Sequence, residues 1–364
     1  MDKRTEVQTL GTGYIVKNKF KGILQVAPRV GKCKIVIDAL NTVKKTELKV
    51  LVIAPKVPIF IDWKKDIIKW NLRSNIHIDY LWSNSLKKIT KQYDLIVADE
   101  IHAYNLKVLY QLAALKKQGI RILGLTGTLD ANSEFNINQI LNIEPIYTYN
   151  IEEAIKDKII ADYQIYCIGV NLDNVNKNMH ISEDKPALTE KVVYEYWDAR
   201  FKYYKARQQY KKMNYPMLRR KEIIYNSQVK LKATKKLIKK INRCIIFTAR
   251  QAIADQVGQV SFHSNSKKDV LEQFKNGKVD QLAVISMVSM GVTIHDLKNG
   301  IFNQIQSGEN DAIQKAMRCF NIEGDKIAKV YIIYLKQTQD EVWLKSALRG
   351  FNENKIKYCK IKDL

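Results

Sequence analysis

The chain has 364 residues, 46% of them apolar, which is enough for two domains of ordinary size, each burying its own core. Its 61 Lys and Arg against 37 Asp and Glu leave a net charge of +24, which points to a polyanionic partner, with nucleic acid ahead of an acidic membrane surface. The apolar runs fall short of the roughly eighteen residues a membrane span needs, and residues 1–7 are charged with no apolar stretch behind them, so the expectation is a cytoplasmic protein with neither span nor secretory signal.

In chain order, apolar runs at 22–27, 50–54, 76–81, 94–98 and 121–125 alternate with stretches of helical period, one reaching about Lys44 and another Trp70. Strand alternating with helix predicts an α/β domain with a parallel sheet covered on both faces. Residues 151–161 read as a short helix and 162–170 as a strand leaving this domain, which is drawn at 1–165. Residues 166–190, largely polar and containing Pro186, read as a linker.

Residues 185–243 then carry 18 Lys and Arg against 4 Asp and Glu, interleaved with nine aromatic residues from Tyr194 to Tyr225. Two readings of this stretch stand together. Cations beside rings can grip phosphates and offer stacking surfaces, or the rings pack inward on helices whose lysines are merely solvated. The strand–helix rhythm returns at 243–248, 260–262, 281–286 and 329–335, with helices from Ser266 and Asn310, so a second sheet and a second domain are drawn at 191–364. The five cysteines are isolated, with neither a CxxC pair nor a His at ligand spacing, which excludes zinc and disulfide frameworks. Cys33, Cys167 and Cys244 lie in or beside apolar runs and read as small buried hydrophobes.

Three strand ends carry chemistry. The first apolar run meets Gly31-Lys32 and then a helical pattern, which reads as a phosphate-binding loop, with the ammonium and the helix amides facing a nucleotide's phosphates. The run at 94–98 ends in Asp99-Glu100, where one carboxylate can hold magnesium and the next can orient an attacking water. The run at 121–125 ends in Thr126-Gly127-Thr128. In a parallel sheet these ends share one edge, where ligands bind.

With these motifs in this order, the chain resembles a superfamily 2 helicase or translocase of the DEAH/DExH kind over nearly its whole length. Residues 26–33 resemble motif I, Asp99-Glu100-Ile101-His102 motif II, and Leu125-Thr126-Gly127-Thr128 motif III. Leu51-Val52-Ile53-Ala54-Pro55 with Trp63 and Trp70 is similar to motif Ia of Swi/Snf-type translocases, and residues 151–155 followed by Ala161-Asp162-Tyr163 resemble the domain exit of phage and restriction-enzyme helicases. Residues 244–248 are similar to motif IV, residues 285–292 to motif V, and Gln314-Lys315-Ala316-Met317-Arg318 to motif VI.

The resemblance implies two tandem RecA-like domains, each a mainly parallel sheet flanked by helices, with ATP and Mg2+ in the cleft between them. It implies that Lys32 holds the phosphates within a loop of Arg29, Val30, Gly31 and Cys33, that Asp99 holds the metal, and that Glu100 orients the water. Gln8, 24 residues before Lys32, stands about where the family places an adenine-reading glutamine. Gly291, Gln314 and Arg318 complete the nucleotide site from domain 2. His102, Thr126 and Thr128 couple hydrolysis to movement. A nucleic-acid strand is gripped by Pro55, Lys56 and Trp63, by Thr248 and Arg250, and by Ser286 and Ser289. DNA is preferred to RNA because motif Ia and the domain exit resemble those of DNA enzymes, and a phage source would place the protein in a host cytoplasm.

Three departures from the family pattern matter. Arg29 and Val30 stand where many relatives carry Gly, and Asn321 stands where a second Arg is usual. Cys33 stands where Ser or Thr normally ligates magnesium, a hard ion that prefers oxygen. A non-hydrolysing, nucleotide-gated nucleic-acid clamp and an RNA helicase therefore stand beside the DNA motor as alternatives. A P-loop kinase is disfavoured, because it has no need of the second sheet and its Gln-Arg motif.

Overall fold

The computed structural model describes residues 2–89, 91–263, 266, 269–285, 294–295, 297–305, 320–321, 327–349 and 351–364. Its first sheet has six strands: β1 (Gly22–Val26), β2 (Leu48–Ala54), β3 (Ile76–Trp82), β4 (Leu95–Asp99), β5 (Arg121–Thr126) and β6 (Pro145–Tyr149). All pair in parallel, in the order β3-β2-β4-β5-β1-β6. The strands are mainly apolar because both faces are covered, with polar residues such as Gln25, Lys49 and His77 among them. Leu24, Val26, Val50, Val52, Val97 and Leu123 point into one core. Their neighbours Ile23, Leu51, Ile53, Ile96, Ala98 and Ile122 point into the other.

Helices α1 (Lys3–Lys17), α2 (Lys32–Asn41), α3 (Pro58–Lys69), α4 (Leu106–Lys117), α5 (Ala131–Leu141) and α6 (Ile151–Lys156) belong to this unit, which ends at Ile160. Their starts are set by local chemistry. Asp2 accepts the Thr5 amide at 2.9 Å to open α1, Asp130 accepts two amides to open α5, and Asn150 with Glu153 forms a reciprocal capping box on α6.

The second unit begins at Ala161. It contains β7 (Asp162–Val170), β8 (Lys177–Met179), β9 (Leu188–Thr189), β10 (Cys244–Thr248), β11 (Val260–Phe262), β12 (Gln281–Ile285), β13 (Ile294–His295), β14 (Asn299–Phe302), β15 (Phe320–Asn321), β16 (Ile327–Leu335) and β17 (Ile356–Cys359). Seven of these form a parallel sheet in the order β11-β12-β10-β14-β16-β7-β17, while β8 pairs with β9 and β13 with β15. Helices α7 (Glu190–Ala206), α8 (Tyr210–Asn226), α9 (Gln228–Ile238), α10 (Gln251–Val257) and α11 (Val270–Lys275) accompany them. On α9, Lys230 is 1% exposed and pairs with the fully buried Asp340 at 2.7 Å.

The two parallel sheets agree with the fold class read from the sequence. Residues 162–170, read as a strand on leaving the first domain, form β7 in the second unit. They pair with β16 along all nine positions, from Asp162–Ile327 to Val170–Leu335, and with β17 on the other side. An apolar strand with alternating buried residues is stable only inside a sheet, and here its partners lie at the far end of the chain. Among the described residues, no helix is long and apolar enough to cross a membrane.

Candidate nucleotide-binding site

The strand order sets the C-terminal ends of β4, β5 and β1 side by side. Beyond β1, the chain passes through a tight loop before α2. Arg29 (φ 69°) and Gly31 (φ 106°) are both left-handed, and Gly31 caps α2 without a side chain to offer it. The first amides of α2 therefore lack a side-chain acceptor, and with the positive end of the helix dipole they form a cradle for an anion. A Cβ on Gly31 would lie 2.7 Å from Gln8 Nε2. That same Nε2 donates to the Val30 carbonyl at 2.6 Å, so the buried Gln8 on α1 holds the loop in its turn.

At the end of β4, Asp99 and Glu100 are 5% and 8% exposed. Asp99 accepts the Glu100 amide on Oδ1 and the Trp63 indole on Oδ2, each at 2.9 Å. Burial pushes the Asp99 carboxyl above its ordinary range, and the Glu100 charge adds to this, while Lys32 and the two hydrogen bonds oppose it. Glu100 takes a left-handed conformation (φ 50°), which turns the chain off the strand and brings its Oε1 to 3.3 Å from Lys32 Nζ.

His102 joins this pair to the end of β5. Its Nδ1 lies 2.8 Å from Thr126 Oγ1 and 3.5 Å from Glu100 Oε2. The Thr126 hydroxyl donates its one proton to the Thr128 carbonyl and accepts the Thr128 amide at 3.2 Å. The proton between His102 and Thr126 is therefore assigned to Nδ1. Lys32, Glu100, His102, Thr126 and Thr128 thus form one connected line across the three strand ends.

Cys33 lies in the first turn of α2, half-buried. Burial pushes its thiol well up, and Asp99 and Asp66 push it the same way. A thiol is a poor donor to magnesium, which prefers oxygen.

No family model and no curated protein sequence matches the chain, but solved structures do. Saccharomyces cerevisiae Dbp5, bound to RNA and ADP BeF3, superposes with a TM-score of 0.60 at 11% identity, covering 98% of this chain and 90% of that one. The Pyrococcus furiosus Hef helicase domain gives 0.52 at 15% identity, covering 93% and 97%. The ATP-dependent Type ISP restriction-modification enzyme LlaBIII, bound to DNA, gives 0.63 at 12% identity over 99% of this chain and 31% of its own. The chain shares the fold of these solved structures.

Of the residues read as motifs I, II and III, Lys32, Glu100, His102, Thr126 and Thr128 form the connected line just described. Motif Ia is divided. Pro55 is half-buried, its carbonyl accepting the Trp82 indole at 2.9 Å, and Lys56 is exposed. Trp63 is fully buried, so it is a support beneath Asp99 and cannot touch a nucleic-acid strand. In motif IV, Thr248 is buried, with its hydroxyl on the Arg250 carbonyl at 3.4 Å, while Arg250 is exposed. Gly291, Gln314 and Arg318, together with Ser286 and Ser289, lie outside the described residues. Sequence reasoning missed the role of Trp63 as the Asp99 donor, which only the folded packing of α3 reveals.

Proposed function

We propose that the chain is a nucleic-acid-dependent ATPase that moves along or remodels nucleic acid, with DNA preferred as the track. The connected line from Lys32 to Thr128 is the observation that carries this reading. It puts a phosphate-binding cation, a water-orienting carboxylate and a signalling histidine in one hydrogen-bonded set beside an anion cradle.

In this reading the phosphates of ATP compete with Glu100 for Lys32. Their arrival frees the Glu100 carboxylate to accept a proton from water. Magnesium bound with the nucleotide neutralises phosphate charge. Asp99 is the carboxylate to hold it, and among the described residues no group of three or more His, Cys, Asp or Glu could hold a metal without the nucleotide. Any change at Glu100 is felt by His102 and passed to Thr126 and Thr128, the step that couples turnover to movement. The roles of Gln314 and Arg318 in completing the site, and of Gln8 near the adenine, remain part of the proposal.

A second reading, the nucleotide-gated clamp, is favoured by one observation, the neutral Cys33 thiol at the usual hydroxyl position. Steady-state ATPase with magnesium separates the two, run alone and with single-stranded, duplex and forked DNA and with RNA. A motor shows stimulation by one of these, a loss of at least a hundredfold in Glu100→Gln, and a gain in Cys33→Thr at limiting magnesium. Nucleotide binding without turnover in the wild type and in Cys33→Thr would leave the clamp and overturn the motor.

A further inference from the structure

The α7–α8 hairpin has two unlike halves. Its base is core: Tyr194, Trp197, Ile223, Ile224 and Tyr225 pack with Leu335, and the Tyr194 hydroxyl accepts the Gln339 amide at 2.7 Å. This half satisfies the inward-packing reading of the aromatic stretch. From Asp198 to Tyr215, in contrast, not one residue is buried. The hairpin continues past its core by about 12 Å along α7, at 1.5 Å per residue.

That outer half is unusual in composition. Residues 198–215 carry six Lys and Arg against one acid, Asp198, which pairs with Lys202 and with Arg220 at the edge of the core. Tyr203, Tyr210 and Tyr215 are 51%, 63% and 58% exposed, without the apolar cover that would explain rings on a helix surface. The Arg207 guanidinium lies 3.7 Å from the Tyr203 ring centroid, and Tyr215 meets the Trp197 ring edge-on at 5.2 Å. Ring and cation are held together before any partner arrives.

We propose that the outer half of this hairpin is a second nucleic-acid contact, which takes a single-stranded segment by stacking bases on Tyr203 and Tyr210 while Lys205, Arg207, Lys211 and Lys212 hold its phosphates. Charge complementarity selects a polyanion, and open ring faces select unpaired bases, since a duplex hides its own. The inference rests on the nucleic-acid reading above, but contact here needs no nucleotide.

The test is fluorescence anisotropy of the full chain without nucleotide, using labelled oligothymidylate and a blunt duplex across a salt series. Neutralising Lys205, Arg207, Lys211 and Lys212 to Gln lowers the log–log salt slope for the single strand by about 3, at about 0.7 per phosphate contact. Tyr203→Ala with Tyr210→Ala weakens the single strand about tenfold or more and leaves the duplex within about twofold. The replaced side chains are exposed, so thermal melts stay at wild-type values. Wild-type affinity and slope in the variants overturn the hairpin contact, and an equal loss on the duplex overturns the stacking. If the wild type binds no nucleic acid, this inference and the proposed function both fall. Nucleic-acid-stimulated ATPase with unaltered binding in the variants overturns the hairpin alone.

Discussion

Replacing Trp63 by Phe keeps a ring in the core and removes one N–H, the donor to Asp99 Oδ2 at 2.9 Å. Trp63 is fully buried and Asp99 nearly so, and water does not replace the lost donor. Hydrogen bonds to charged groups contribute about 1.5–3 kcal/mol and those between neutral groups about 1 kcal/mol. The difference, about 1–2 kcal/mol, adds to the cost of ionising Asp99, and about 1.4 kcal/mol corresponds to one pH unit. The Asp99 midpoint, already raised by burial, therefore climbs further. Because the folded-state midpoint lies above the unfolded one, ionising Asp99 costs stability, and that cost accrues as pH rises from the unfolded to the folded midpoint. The variant extends this window upward. The ring volume lost from the core costs the variant the same at every pH, so its deficit against wild type widens by about 1–2 kcal/mol from the pH where Asp99 is protonated in both to the pH where it is ionised in both. Urea unfolding followed by circular dichroism, at pH 8 and at the lowest pH where wild type stays folded, reads both values. An equal deficit at the two pH values would refute a charge-dependent bond.

The remaining predictions concern the loop and the second core. Gly31→Ala forces a Cβ to 2.7 Å from Gln8 Nε2 in a left-handed backbone, costing about 1–3 kcal/mol. Affinity for a fluorescent nucleotide, measured by titration, falls about tenfold or more. Lys230→Met leaves the fully buried Asp340 unpaired and lowers unfolding free energy by about 3–5 kcal/mol. Pairing it with Asp340→Asn, which still accepts the Leu335 amide, recovers much of the loss in the same urea titration.

What could be read from the sequence was local. β1, β2, β4 and β5 are mainly apolar runs, and the motifs lie at their ends, so Lys32, Asp99, Glu100 and Thr126 were expected on one edge by topology alone. β6 was missed because it is a half-buried edge strand opening on Pro145, with too little alternation to mark it. α1 was missed because Gly11, Gly13 and three threonines dilute its apolar face, and Gly11 is small for a reason: a Cβ there would be 3.1 Å from Ile35 Cγ2. The role of Trp63 was misread because it depends on a partner, Asp99, brought near only by the packing of α3. The basic aromatic stretch supported two readings, and each describes one half of the hairpin. Where the core stops along α7 is a tertiary fact that no helical period encodes.

On the ribosome the two sheets meet different conditions. Every strand of the first has been synthesised once Tyr149 emerges, and that unit can close while the remainder is still being made. The second opens with β7, whose neighbours β16 and β17 are translated long after it. Until they arrive, β7 is an apolar strand with both edges bare, the form of exposure that invites wrong pairing. Over that interval the nascent chain is a finished unit trailing an open strand, and the yield of intact protein depends on how that strand is shielded until its two neighbours emerge.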